Sequence, residues 1–154
     1  MPIISAGLLM YRFRGGVVEV FLVHPGGPFW TGKDSGAWSI PKGLIDANEE
    51  PLAAARREFE EETGFKVSEN FIQLSSVKLK SGKILLAWAV EGDCNPSDFR
   101  SNTFQMEWPP HSGRQQEFPE IDSAAWLPID DAKKRINQGQ VPLLEELSRV
   151  LKKK

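Results

Sequence analysis

Two runs of apolar, β-favouring positions, Ala6 to Arg12 and Val17 to His24, are separated by Gly15-Gly16, a pattern that predicts an opening hairpin. The apolar character begins at Pro2, but with neither a basic leader nor a small-residue cleavage site, so this stretch reads as strand. Pro25 to Gly36, PGGPFWTGKDSG, is dense in turn formers and holds Phe29-Trp30, which predicts a loop bearing two large aromatics. Ala37 to Ile40 predicts a short strand, and Pro41-Lys42-Gly43 opens an irregular stretch that ends near Asn48. A helix is expected from about Pro51 to Thr63, with Asn48 as N-cap, Glu49 and Glu50 at its positive end, and Gly64 terminating it. Phe71 to Lys80 and Ile84 to Val90 predict strands about the turn Ser81-Gly82, with another between Asn102 and Trp108 and a closing strand from Asp122 to Ile129. Apolar positions at helical spacing predict two last helices, Asp130 to Asn137 and Pro142 to Leu151, before a solvated end at Lys152 to Lys154. Grouped strands with a few flanking helices, and no repeat or linker, predict a single α+β domain over residues 1–154 with a mixed sheet.

Composition narrows the chemistry. A chain of 154 residues buries roughly two-thirds of its unfolded surface, so its core requires neither disulfide nor structural zinc. Cys94 is the lone cysteine, and His24 and His111 are the only histidines, which excludes a zinc cluster and fits a reducing cytoplasm. Both histidines are read as structural or exposed. With 19 basic and 21 acidic residues the net charge is −2, too small for a global footprint on polymeric nucleic acid or an anionic membrane. No stretch approaches the roughly 20 apolar residues of a membrane span. A soluble monomer or homodimer is expected.

On the expected helix, successive residues turn by roughly 100°, so Glu58, Glu61 and Glu62 share one face while Leu52, Ala55 and Phe59 form the adjoining apolar stripe. Alone, such a face is usually solvated, with Arg56 and Glu60, and Arg57 and Glu61, as ion pairs four residues apart. Carboxylates crowded at a packed edge repel one another, a cost relieved by a raised pKa or a bound cation; hard oxygen ligands suit magnesium or manganese.

The wider pattern is Gly43, five residues, Glu49, seven residues, then Arg57-Glu58-Phe59-Glu60-Glu61-Glu62-Thr63-Gly64-Phe65. It resembles the Nudix box, G-x(5)-E-x(7)-R-E-U-x-E-E-x-G-U, at every specified polar and glycine position, with aromatic residues where the family more often has aliphatic U. The resemblance implies a Nudix fold, a mixed sheet sandwiched between helices, and a magnesium-dependent hydrolase that cleaves a pyrophosphate linkage in a small nucleoside diphosphate derivative. It implies metal ligands at Glu58, Glu61, Glu62 and the Gly43 carbonyl, with Arg57 and Glu49 bracing the loop. The family's catalytic base lies inside the box or on a later loop, which makes Glu58 and Glu120 the two candidates, ahead of Glu117.

Ala37-Trp38-Ser39-Ile40-Pro41-Lys42-Gly43 is similar to the approach to the box in diadenosine polyphosphate hydrolases and in nucleotide-pool-cleaning members. That similarity implies a phosphate contact for Lys42, with Lys80 and Lys83 as weaker candidates. Trp30 is a candidate for base stacking or for anchoring its loop, whereas Trp88 and Trp126 lie in apolar runs and read as core. Diadenosine tetraphosphate or a noncanonical nucleoside triphosphate is the expected substrate. The alternatives are a non-catalytic Nudix-fold nucleotide-binding module and a hydrolase of diphosphoinositol or capped RNA.

Overall fold

The computed structural model of the protein describes residues 3–152; Pro2, Lys153 and Lys154, where the expected first strand began and the solvated tail ended, lie outside them. Among the described residues the strands are β1 (Ile4–Arg14), β2 (Val17–Pro25), β3 (Lys42–Leu44), β4 (Phe71–Gln73), β5 (Val77–Lys78), β6 (Ile84–Glu91), β7 (Thr103–Glu107), β8 (Gln115–Pro119) and β9 (Ile121–Pro128). The helices are α1 (Pro51–Thr63), α2 (Ile129–Arg135) and α3 (Val141–Lys152).

The main sheet runs β4-β6-β1-β2-β9, with β3 on β1 and β5 on β6. β1 is parallel to β6 and antiparallel to β2 and β3, so the sheet is mixed. Alternate side chains of the central strands face opposite layers. Ala6, Leu8 and Met10 of β1, with Phe21 and Val23 of β2, pack against Ala54, Ala55 and Phe59 of α1. Leu9, Tyr11, Val20 and Leu22 face the other way, onto Ala132, Leu143, Leu144 and Leu147 of α2 and α3. Burial on both faces explains why these strands read as unbroken apolar runs rather than alternating ones. The chain is an α+β sandwich of a mixed sheet between helices.

Four local expectations are corrected. Ala37 to Ile40 is not a regular strand: Trp38 and Ser39 make isolated bridges to Ile136 and Val23, and the ladder falls instead on Lys42–Leu44. That shift follows from Gly7, where an added β-carbon would lie 2.7 Å from the Pro41 carbonyl oxygen, so only glycine lets this segment close on β1. Asn48 is not the N-cap; it adopts φ 64 in a turn closed by the Glu49 N–H on the Asp46 carbonyl, a left-handed position that asparagine tolerates, and Glu50 precedes the helix. Phe71 to Lys80 divides into β4 and β5, because Leu74 turns into the core between them. The strand expected near Asn102 to Trp108 forms, but as β7 of a separate hairpin with β8 rather than in the main sheet.

Candidate active site

The site begins with α1. Ala53-Ala54-Ala55 and the following Arg and Glu residues are strong helix formers, and Pro51 costs nothing in the first turn, where its missing N–H has no partner to lose. Phe59 is fully buried against the sheet, a contribution of about 1.5–3 kcal/mol that fixes the rotation of the helix. Gly64 ends it at φ 81, its N–H donating to the Glu60 carbonyl at 2.7 Å.

With Phe59 inward, Glu58, Glu61 and Glu62 turn toward the edge where β3 meets the helix. Glu58 packs directly against Gly43, whose absent side chain makes the space: a β-carbon there would overlap the Glu58 carboxylate. Arg57 lies across the group. Its Nε and Nη2 donate to both oxygens of Glu49 at 2.8 and 3.0 Å, Nη1 donates to Glu58 Oε1 at 2.8 Å and to Glu61 Oε2 at 3.0 Å, and Nη2 reaches the Leu44 carbonyl at 3.1 Å. The Arg57–Glu61 pair expected on the helix therefore exists, whereas Arg56 lays its guanidinium 5.5 Å from the centre of the Phe71 ring.

Electrostatics separates the glutamates. Hydrogen bonds from Arg57 hold Glu49 down at about 2. Burial pushes Glu58 upward against the pull of Arg57. Glu62 is raised to about 8, by burial first and then by the charge of Glu58, with Lys42 opposing. Burial likewise pushes the Lys42 ammonium below its ordinary value. Two carboxylates that resist ionisation beside each other constitute a site that gains from a cation.

Glu62, Lys42, Glu120 and Trp30 line one cavity of about 430 Å³, together with Lys80, Lys83 and an apolar floor that includes Val23, Ile40 and Leu79. Glu120 arrives from the β8–β9 junction, its N–H bonded to the Asn102 carbonyl at 2.8 Å. Glu117, by contrast, is an exposed residue of β8. Trp88 and Trp126 pack in the layer under α1, where Trp126 meets Phe21 edge-on and donates from Nε1 to the Cys94 carbonyl at 2.9 Å.

The donor chemistry of this edge, glutamate carboxylates crowded where α1 meets β3, fits a hard divalent cation. Among the described residues no group of three His, Cys, Asp or Glu side chains is arranged to hold an ion, and Arg57 Nη1 takes one oxygen each of Glu58 and Glu61.

Sequence reasoning missed Gln140 here. Gln140 is buried and accepts from the Ile40 N–H at 3.1 Å while donating to Ser39 Oγ at 3.0 Å, which holds the cavity floor from the far end of the chain. His24, read as structural or exposed, is buried, with Nδ1 2.8 Å from Asp122 Oδ1 and Nε2 on the Lys33 carbonyl. Neither contact has a local signal, because the partners come from distant segments.

Such a helix, packed on a mixed sheet with its arginine-braced glutamates beside a glycine, defines a Nudix protein. The NUDIX domain description matches residues 1–147, and the chain belongs to this family. It is 26% identical over 107 residues to a CMP-5'-(N-acetyl-N-hydroxy-3-aminopropyl)phosphonate hydrolase from Streptomyces rubellomurinus, covering 70% of this chain and 45% of the relative. A 29-residue segment is 66% identical to RNA pyrophosphohydrolase from Bartonella henselae, covering 19% of this chain and 17% of that protein. The chain thus spans less than half the length of either relative. In fold it is similar to C. elegans Ap4A hydrolase in a binary complex, with a TM-score of 0.70 and 24% identity over 97% of this chain and 99% of that one. It also resembles the NUDIX domain of Shewanella oneidensis NrtR complexed with ADP ribose, with a TM-score of 0.66 and 16% identity over 98% and 89% of the two chains.

Proposed function

We propose that this chain is a divalent-metal-dependent pyrophosphohydrolase that cleaves a phosphoric anhydride bond in a small nucleotide, with diadenosine tetraphosphate or a noncanonical nucleoside triphosphate as substrate. One observation carries the reading: a single cavity is lined at once by carboxylates (Glu62, Glu120), by cations (Lys42, Lys83) and by an aromatic face (Trp30). Those three surfaces match the metal-bound phosphates, the remaining phosphate charge and the base of one nucleotide.

Glu58, Glu61, Glu62 and the Gly43 carbonyl would hold magnesium, or manganese as the alternative, and the bound ion would neutralise phosphate charge and lower the pKa of water. Arg57 and Glu49 keep the glutamates oriented, and Lys42 binds a phosphate oxygen. Glu120 accepts the proton of the attacking water, with Glu58 the second candidate for that role. Water adds oxygen to phosphorus, the anhydride P–O bond breaks, and the bridging oxygen leaves on the departing phosphate.

The short identity to an RNA pyrophosphohydrolase supports a second reading, in which the nucleotide is the 5' end of an RNA. The proposed setting is cytoplasmic, and the proposed assembly a monomer or homodimer.

A substrate panel with and without magnesium, run in oxygen-labelled water and read by mass spectrometry, tests the function and locates the attacked phosphorus. Magnesium-dependent release from a dinucleoside polyphosphate, lost in Glu61→Gln, is the expected result. Turnover confined to RNA favours the second reading. Binding without turnover of any panel member makes the chain a nucleotide-binding module and removes the proposal.

A further inference from the structure

The β7–β8 hairpin stands outside the main sheet, yet its foot is tied to both halves of the site. The Arg100 N–H donates to the Thr63 carbonyl at 2.7 Å and the Asn102 N–H to the Glu61 carbonyl at 3.3 Å, so the hairpin departs from the end of α1. On its other side the Gly26 N–H donates to the Glu120 carbonyl at 2.8 Å, which joins the return strand to the start of the Pro25 to Gly36 loop.

The contact then continues along that loop. A β-carbon on Gly26 would overlap the Pro119 carbonyl, and one on Gly27 would lie 3.0 Å from Phe104. Phe104 itself packs on Phe118 across the hairpin, with ring centres 6.0 Å apart. Phe29 meets Trp108 edge-to-face, with centres 5.4 Å apart and planes at 81°. The far end of the loop is held from the opposite direction by buried His24 on the Lys33 carbonyl and by Trp38 Nε1, which donates to Asp34 at 2.8 Å.

Between these anchors sits Trp30, in a turn made by its own N–H on the Gly27 carbonyl at 3.2 Å and by the Lys33 N–H on its carbonyl at 3.0 Å. Trp30 is 40% exposed, with the Lys33 ammonium 5.6 Å from its ring centre, so its orientation depends on the loop that carries both residues. An aromatic wall binds a base well only if its orientation is set beforehand, because ordering it on binding subtracts from affinity.

We propose that the β7–β8 hairpin is the positioning element for the base-binding wall, and that Trp108, acting through Phe29, holds Trp30 against the cavity. The inference rests on the reading of Trp30 as a base contact. Trp108 touches no reacting atom and is a positioning residue.

Two measurements test it. Limited trypsin digestion reads the loop without any substrate: cleavage after Lys33, measured against cleavage after Lys66, is expected to quicken in both Trp108→Ala and Phe29→Ala, and to stay near wild type in Trp108→Phe. The Phe29 variant leaves the hairpin's own pairing intact, so it separates a lost contact from a collapsed hairpin. Unchanged cleavage in both alanine variants overturns the proposal whatever the substrate is.

Steady-state hydrolysis of diadenosine tetraphosphate with magnesium then reads the consequence. Trp108→Ala is expected to raise KM about three- to tenfold with kcat within about twofold, and to add nothing further in a Trp30→Ala background. A KM effect that persists undiminished without Trp30, or a fall in kcat as large as the rise in KM, overturns the coupling. A Trp30→Ala variant with normal KM instead removes the base-contact reading, and the proposal's consequence for KM with it, while the digestion result still decides the mechanical link.

Discussion

Arg57 Nη1 lies between two carboxylates, 2.8 Å from Glu58 Oε1 and 3.0 Å from Glu61 Oε2, while the rest of the guanidinium grips Glu49 through both oxygens. The planar fork of arginine makes this possible; a lysine ammonium can satisfy one of these partners well but not the set. Arg57→Lys is therefore expected to lower magnesium-dependent turnover about 10- to 100-fold, the range for residues that orient metal ligands. Near-normal turnover at saturating magnesium would show that the glutamates orient themselves.

Gly43 offers a steric test. Because its missing β-carbon leaves the space that the Glu58 carboxylate occupies, Gly43→Ala is expected to displace Glu58, costing about 1–3 kcal/mol of stability and about tenfold or more in turnover. Thermal melting and kinetics on the same preparation check both. Retention of both would mean that Glu58 has room elsewhere.

Glu49 gives a pH dependence. Its pKa falls to about 2 in the folded chain from an ordinary value near 4.5, so the folded state binds this proton less tightly than the unfolded state. The stabilisation is thus complete above about pH 4.5 and lost as pH falls toward about 2. Wild type is expected to be more stable than Glu49→Gln at neutral pH, with the gap closing across that acidic window in denaturant titrations. A gap that does not change with pH would place the effect of the substitution outside this ion pair.

The base assignment is open to a direct comparison. Glu120 lines the cavity, whereas Glu58 is engaged by Arg57 and seated against Gly43. Glu120→Gln is expected to slow turnover about 10²- to 10⁴-fold even at saturating magnesium, while Glu58→Gln chiefly raises the magnesium concentration required. The reverse pattern would transfer the role to Glu58.

How much of this was legible beforehand depends on distance along the chain. The shared face of Glu58, Glu61 and Glu62 follows from helical periodicity and the termination at Gly64 from glycine's left-handed freedom, both local properties. The start of the helix was misread because Asn48 serves a left-handed turn, and a residue that suits N-caps suits such turns equally. The strand at Lys42–Leu44 was missed because its pairing depends on the approach of Gly7 to Pro41, which no local pattern reveals.

The sequence by itself determined the α+β class, the family and the acidic helix face, because spacing within one helix is enough to bring those glutamates together. Only the tertiary structure decided which of them meets the cavity, that Glu120 and Trp30 line it too, and that the β7–β8 hairpin reaches back to Phe29. Those relationships join distant segments through sheet order and side-chain packing, and such contacts follow from burying both faces of one sheet at once rather than from the preference of any segment.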